Sequence, residues 1–336
     1  MQSTLVHSAR DVAVDHFFPY EHPLVALKPT EREPAVRVVE LESVASCIEN
    51  TKAFIQHGHT VNPLTTKIGE ARLNARLNGL PVLKMRVLDL VTPGSNLYSH
   101  WLLDLTPKLK AVQDAGYDIR KDFDRIIVNF YGSRFKREVV ELLGIDEAKI
   151  YDYTNHPKFF RAEKLVTVTP CRSGLYTPKW VADYVNSIFS AQVETGFSRK
   201  VYISRSKGNS RRILNEAALV ERLSALGYQT LYCEDHSVAF TANVIRNATG
   251  IIAPHGAGLA NIVFAKPGAK VIELFCAHLS AEFYKLALSR KLDYTPVQVA
   301  GPKGKMIGLA NMDYRKERKY YHSMNMLLSE KLLCSL

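Results

Sequence analysis

Three groups of residues in this sequence have the types and spacing to do chemistry. The first lies in "APHGAGLANIVFAKPGAKVIELF" at 253–275, where an apolar run ends in Pro254 and His255, and Gly256 and Gly258 flank Ala257. Glycines carry no Cβ, so a ligand can come close to the backbone. A helix opening after such a loop presents amide donors and partial positive charge, which suits a phosphate. The second is "YISRSKGNSRRILNE" at 202–216, which crowds Arg205, Lys207, Arg211 and Arg212 into one loop. Guanidinium groups hold phosphate oxygens in bidentate fashion, and two such loops at strand ends of one sheet can face one diphosphate. The third is His100 and Asp104, spaced i and i+4 and therefore on one face of a helix. A carboxylate hydrogen-bonded to a histidine is a candidate base.

Positioning these groups requires an alternating chain. "RKVYISR", "YQTLYCE", "TGIIAPH" and "AKVIELF" read as strands, separated by helices at 215–227 and 237–248, a short helix after the glycine loop, and another at 280–291. Strand and helix alternating through short connections predict a parallel, doubly wound sheet, whose ligands sit beyond the carboxyl ends of the strands. The first half shows a looser version, with strands at 35–41, 81–91, 124–130 and 163–170 and helices at 96–116, 133–144 and 178–193. In the 96–116 helix Ser99 is the expected N-cap, Gly116 the stop, and Trp101, Leu105, Leu109 and Val112 the apolar stripe. Two α/β domains follow, divided near 194–200: an N-terminal domain at 1–195, a C-terminal binding domain at 196–300, and a basic helical tail at 301–336.

Composition narrows the function classes. The 336 residues are 46% hydrophobic and 23% charged, which excludes a disordered chain. Five dispersed cysteines without a C-x-x-C argue against a disulfide framework or zinc site and for free thiols in a reducing cytoplasm. No apolar run reaches membrane-spanning length, and the N-terminal residues lack signal-peptide character. The net charge of +11 implies an anionic partner. "GAGLAN" lacks the third glycine of a dinucleotide fingerprint. A nucleotide-sugar epimerase or dehydrogenase would want that full fingerprint in the first strand–turn–helix, and the chain opens with none. A nucleic-acid-binding protein would interleave aromatics with its cations, which 205–212 does not do. A hydrolase would want a G-x-S-x-G elbow, which is absent.

The ordered pieces "YISR", "RR", "NE", "HGAGL", the later "PG", and "SHWLLDLTPKL" at 99–109 resemble glycosyltransferase family 61. The resemblance covers roughly 96–275 and is dense from 202 onward. It implies a GT-B fold, with two Rossmann-like domains facing across a cleft. It implies an inverting, metal-independent transfer from a nucleotide-diphosphate sugar, expected to be a UDP-sugar, to a saccharide or lipid-linked glycan in capsule or lipopolysaccharide-type synthesis. No cofactor or metal is expected. On that reading Asp104 is the favoured base and His100 its partner or an acceptor contact, with exchange of the two roles left open. The donor site comprises Arg205, Lys207, Arg212, His255, Gly256, Ala257, Gly258 and Asn261, with Glu273 for ribose hydroxyls and Glu234 and Ser237 for base or sugar. Asn261 packing and Ser237 capping the next helix are the structural alternatives. The only D-x-D, "DFD" at 122–124, precedes a strand and reads as a loop feature. The expected setting is the cytoplasm, with the basic tail at 312–322 placed to meet anionic lipid at the inner membrane.

Overall fold

The computed structural model describes residues 2–13, 30–47, 53–56, 59–61, 82–92, 94–129, 132–152, 159–191, 194–309 and 316–335. The chain divides into two compact units, Met1–Asp11 with Arg32–Ser173, and Val12–Glu31 with Gly174–Leu336.

The first unit is built on a mixed sheet. Its strands are β1 (Gln2–His7), β4 (Val36–Cys47), β5 (Ala53–Gln56), β6 (His59–Val61), β7 (Val82–Asp89), β8 (Arg125–Val128), β9 (Ile150–Asp152) and β10 (Phe159–Val168). A separate two-stranded ribbon pairs β2 (Arg10–Ala13) with β3 (Thr30–Glu33). The sheet runs β6-β5-β4-β10-β7-β8-β9, with β1 also on β4. The β10-β7-β8-β9 half is parallel, whereas β1, β4, β5 and β6 pair antiparallel. This departs from a wholly parallel Rossmann-like wrap for a physical reason. The β4–β5 and β5–β6 links hold only a few residues, too few for the crossover a parallel pair needs. Among the described residues, helical crossovers lie between β7 and β8 (98–114) and between β8 and β9 (Arg134–Leu142). The apolar stripe Trp101, Leu105, Leu109 and Val112 is buried as expected.

The second unit is wholly parallel, in the order β12 (Tyr228–Leu231), β11 (Lys200–Ile203), β13 (Gly250–Pro254), β14 (Lys270–Phe275), β15 (Asp293–Gln298). All five residues of β13 are buried, which is why the run reads as continuously apolar rather than alternating. The helix Lys179–Ile188, placed with the first domain by sequence, lies in this unit. Phe189 meets Phe264 edge-on at 5.5 Å, and Arg246 Nη2 donates to Asn186 Oδ1 and the Phe189 carbonyl, both at 2.8 Å. The C-terminal segment also belongs to the unit's core. Met324, Met326 and Leu328 are buried with Tyr202, Leu274 and Phe275.

Candidate functional site

The second unit's strand order gives its site a location. From β11 the chain moves to β12 on one side, then returns to β13 on the other. At such a reversal the loops leaving the two central strands diverge and open a crevice, where open parallel sheets bind ligands. Those loops are the cation-rich segment after β11 and the His-Gly segment after β13.

They touch. A Cβ built on Gly256 would lie 2.1 Å from Arg205 Nη1 and 2.7 Å from Cζ, so the guanidinium rests against bare backbone. Arg205 is fixed there, since Nε donates to the Ser210 carbonyl at 2.8 Å. Burial lowers its pKa while the charge of nearby Glu234 opposes the shift. Gly258 faces Ile203, whose Cγ2 would lie 3.3 Å from an added Cβ. Ala257 opens a 3-10 helix running to Phe264. Asn261, fully buried, donates to the Gly258 carbonyl at 2.9 Å and so braces the loop.

Lys207, Arg212, Glu234 and Ser237 are exposed or engaged elsewhere. Lys207 is exposed and ion-paired with Asp235, with Nζ 2.5 Å from Oδ2. Arg212 is exposed, and its backbone N–H donates to Asn325 Oδ1 at 3.0 Å. Its neighbour Arg211 adopts a left-handed φ of 55°, a strain of about 1–2 kcal/mol for a residue with a Cβ, and its charge acts on Glu273. Glu234 is exposed on a 3-10 turn. Ser237 caps the helix Val238–Asn247, its hydroxyl accepting from the Phe240 N–H at 3.0 Å.

His255 and Glu273 form a buried pair. His255 Nδ1 hydrogen-bonds Glu273 Oε1, and the Tyr294 hydroxyl donates to Oε2. Glu273 is 0% exposed. Burial pushes its carboxyl up to about 8, against the downward pull of the Tyr294 hydrogen bond and the Arg211 charge. The carboxylate thus serves as an internal partner of His255 rather than as an exposed acceptor.

In the first unit, the end of β7 leads through a turn into the helix over 98–114. That helix begins after Leu97 rather than Ser99, which is buried inside its first turn. Residues Trp101–Leu105 form a π-turn within it, a local widening frequent at functional sites. The Thr106 hydroxyl donates to the Trp101 carbonyl at 2.9 Å across this turn. His100 Nδ1 and Asp104 Oδ2 are 2.7 Å apart, as the i, i+4 spacing predicts. Arg172, in the segment after β10, clamps the same carboxylate: Nε donates to Oδ1 at 2.6 Å and Nη2 to Oδ2 at 2.8 Å. Desolvation alone would raise the Asp104 pKa. The Arg172 charge and the hydrogen bonds from His100 and Arg172 outweigh it and hold the carboxyl well below its usual range. An ionised carboxylate only accepts, so His100 carries its proton on Nδ1, and in the neutral ring Nε2 holds the lone pair. Gly94, at φ 78°, leaves room for that ring, because a Cβ there would lie 2.7 Å from His100 Cδ2.

The D-x-D pair is bound to backbone. Asp122 Oδ2 accepts from the Asp118 N–H at 2.7 Å and Asp124 Oδ2 from the Arg86 N–H at 2.8 Å. Sequence reasoning missed Arg172, Tyr294 and Gly94, and favoured Arg212 over Arg211. Arg172 lies 68 residues from Asp104, and nothing local marks it. Gly94, in "TPGSN", carried a turn signal that was open to reading.

The comparisons with known proteins fall on these elements. A family model described as Glycosyltransferase 61 matches residues 98–272, just over half of the chain. The Xenopus tropicalis protein O-linked-mannose beta-1,4-N-acetylglucosaminyltransferase 2 is 40% identical over 83 residues, covering 24% of this chain and 14% of that protein. The Mus musculus and Homo sapiens proteins of the same name are each 34% identical over 82 residues, with the same coverage. The match therefore spans about a seventh of these relatives' length.

Proposed function

Because this chain belongs to glycosyltransferase family 61, we propose that it moves a sugar from a nucleoside-diphosphate donor to a saccharide acceptor with inversion, without a metal. The observation that carries this reading is the Arg205 guanidinium resting on Gly256 at the sheet's reversal point. Inversion is one in-line displacement at the anomeric carbon. The leaving diphosphate gains negative charge in the transition state, and pre-placed cations and amides in a desolvated pocket stabilise it. Arg205, Arg211 and the backbone of 256–258 are suited to that task. Lys207 assists once it exchanges Asp235 for phosphate.

The acceptor hydroxyl must lose its proton as it attacks. Asp104 has both oxygens occupied and a depressed pKa, which makes it a weak base. His100, with its lone pair on Nε2, is the better one. We therefore assign His100 as the general base, with Asp104 orienting the ring and stabilising the imidazolium, and Arg172 fixing Asp104. This takes the second of the two role assignments that the sequence leaves open. The GT-B division of labour, with donor on the second unit and base on the first, is part of the same proposal. The relatives' name points to N-acetylglucosamine transfer as the first chemistry to test. A capsule or lipopolysaccharide-type glycan as acceptor and a cytoplasmic setting complete the reading. Among the described residues no helix is long and apolar enough to cross a membrane.

The test is a thermal-shift series with UDP-N-acetylglucosamine, other nucleotide sugars and their free nucleoside diphosphates. A true donor raises the melting temperature by mass action, and Arg205→Ala should remove the shift. A wild-type protein indifferent to every nucleoside diphosphate would sink the proposal.

A further inference from the structure

His255 does not end the imidazole chemistry at the tip of β13. Its ring meets His278 edge-on, with centroids 4.9 Å apart. His278 in turn meets His322, with centroids 4.4 Å apart. His278 follows β14, and His322 comes from the C-terminal helix Arg318–Ser323. His255 is buried while the other two are half-buried, so the row leads from the Glu273–Tyr294 pair toward solvent.

A second observation ties the same C-terminal segment to the cation-rich loop. The Met326 N–H donates to the Arg212 carbonyl and the Leu214 N–H to the Met326 carbonyl, both at 2.8 Å. Asn325 Oδ1 accepts from the Arg212 N–H. Met324 Sδ lies 3.3 Å from Cys276 Sγ, in the loop that carries His278. The segment therefore bridges the loops leaving β11 and β14 and sets His322 against His278, whose ring in turn meets His255 after β13.

We infer that His278 and His322 join His255 as a wall of imidazole donors for the diphosphate of the donor, which makes the C-terminal segment part of the donor site. The inference rests on the donor reading above. The chemistry is that of a phosphate in a half-buried setting: imidazole N–H groups donate to its oxygens, and its charge favours imidazolium. The charges at the His255 end of the row fit an anion: Arg205 rests on the neighbouring Gly256, the Arg211 charge reaches Glu273, and the buried Glu273 is spent on His255 and Tyr294. On this account the basic C-terminal stretch owes at least its histidine to ligand binding.

The experiment is calorimetric titration of the full-length protein with UDP, inorganic pyrophosphate and uridine. His278→Ala and His322→Ala should each weaken UDP and pyrophosphate about 10- to 100-fold, the range for losing a hydrogen bond to a charged group, and leave uridine unchanged. Lys319→Ala, on the same helix and exposed, should bind like wild type. Melting of the unliganded variants checks folding, and His322→Gln, which keeps a side-chain donor, should recover part of the loss. Wild-type UDP and pyrophosphate affinity in the His278→Ala/His322→Ala double variant overturns the inference and leaves the donor reading standing. Equal weakening of uridine and UDP also overturns it, by showing a structural role. A wild type that binds neither UDP nor any other nucleoside diphosphate overturns both.

Discussion

Each unit holds a histidine–carboxylate pair, and the two pairs are built oppositely. In the first, Asp104 shares its oxygens between His100 and the Arg172 guanidinium, and its pKa falls. In the second, Glu273 is sealed with His255 and Tyr294, and burial drives its pKa up to about 8. The difference lies in the third partner. A fixed cation keeps a carboxylate ionised despite desolvation, whereas a phenol cannot offset full burial. An ionised aspartate fixes its histidine's tautomer and suits it to accept a proton. A carboxyl that holds its proton near neutrality donates it to Nδ1 of its histidine, which then keeps its own N–H on Nε2 as a donor. Environments that push two like groups apart are the usual mark of divided acid–base roles.

Removing the histidine of the first pair should have the largest effect. His100→Ala should lower turnover about 10²–10⁴-fold, the span of general-base catalysis, while the donor-induced melting shift survives. Persistent turnover would return the role to Asp104. Next, Arg172→Met should leave the Asp104 charge without its main partner. Breaking a buried ion pair costs about 3–5 kcal/mol, and partial exposure of Asp104 places this one near the lower end. Urea unfolding reads the stability, and the acid limb of the activity profile should move to higher pH as the Asp104 pKa recovers. In the second unit, Gly256→Ala drives a Cβ into the Arg205 guanidinium. Nucleoside-diphosphate affinity should drop about 10-fold, as for one charge-assisted contact, with His100-dependent chemistry otherwise intact. A donor affinity equal to wild type would show that Arg205 can move aside at no cost.

The smallest effect is a slope in stability against pH. Glu273 has a raised folded pKa, so the folded protein keeps a proton that the unfolded chain releases above its ordinary pKa of 4.5. Stability present below that value is lost as pH rises from 4.5 to about 8. Asp104 does the reverse: its contribution is present above its ordinary 3.8 and is lost on acidification below it. Unfolding followed across this range should show the neutral-side decline in wild type and a flatter curve in Glu273→Gln. An unchanged slope in that variant would remove the contrast between the two pairs.

Much of this was legible before any coordinates. The parallel second sheet followed from short apolar runs alternating with capped helices. The His100–Asp104 bond followed from helical spacing alone, because i and i+4 side chains meet wherever the helix lies. The glycine and arginine loops could be singled out because residues without a Cβ and runs of cations are informative in themselves. The first sheet was read less well. Its antiparallel half depends on which strands pair, and apolar runs do not record pairing.

What the sequence by itself determined, then, is local: helix faces, strand ends, and the backbone left bare at 256 and 258. The tertiary structure alone decided which charges meet. Arg172 reaches Asp104 across 68 residues and holds its pKa down, while the fold buries Glu273 so fully that its pKa rises despite the Tyr294 hydroxyl reaching it across 21 residues. His322 is in a basic stretch that reads as a solvated tail until the fold sets it beside His278. The physical reason is that spacing along the chain specifies contacts only within a helical turn or a strand register. Burial and long-range pairing, which govern ionisation, exist only once the core has formed.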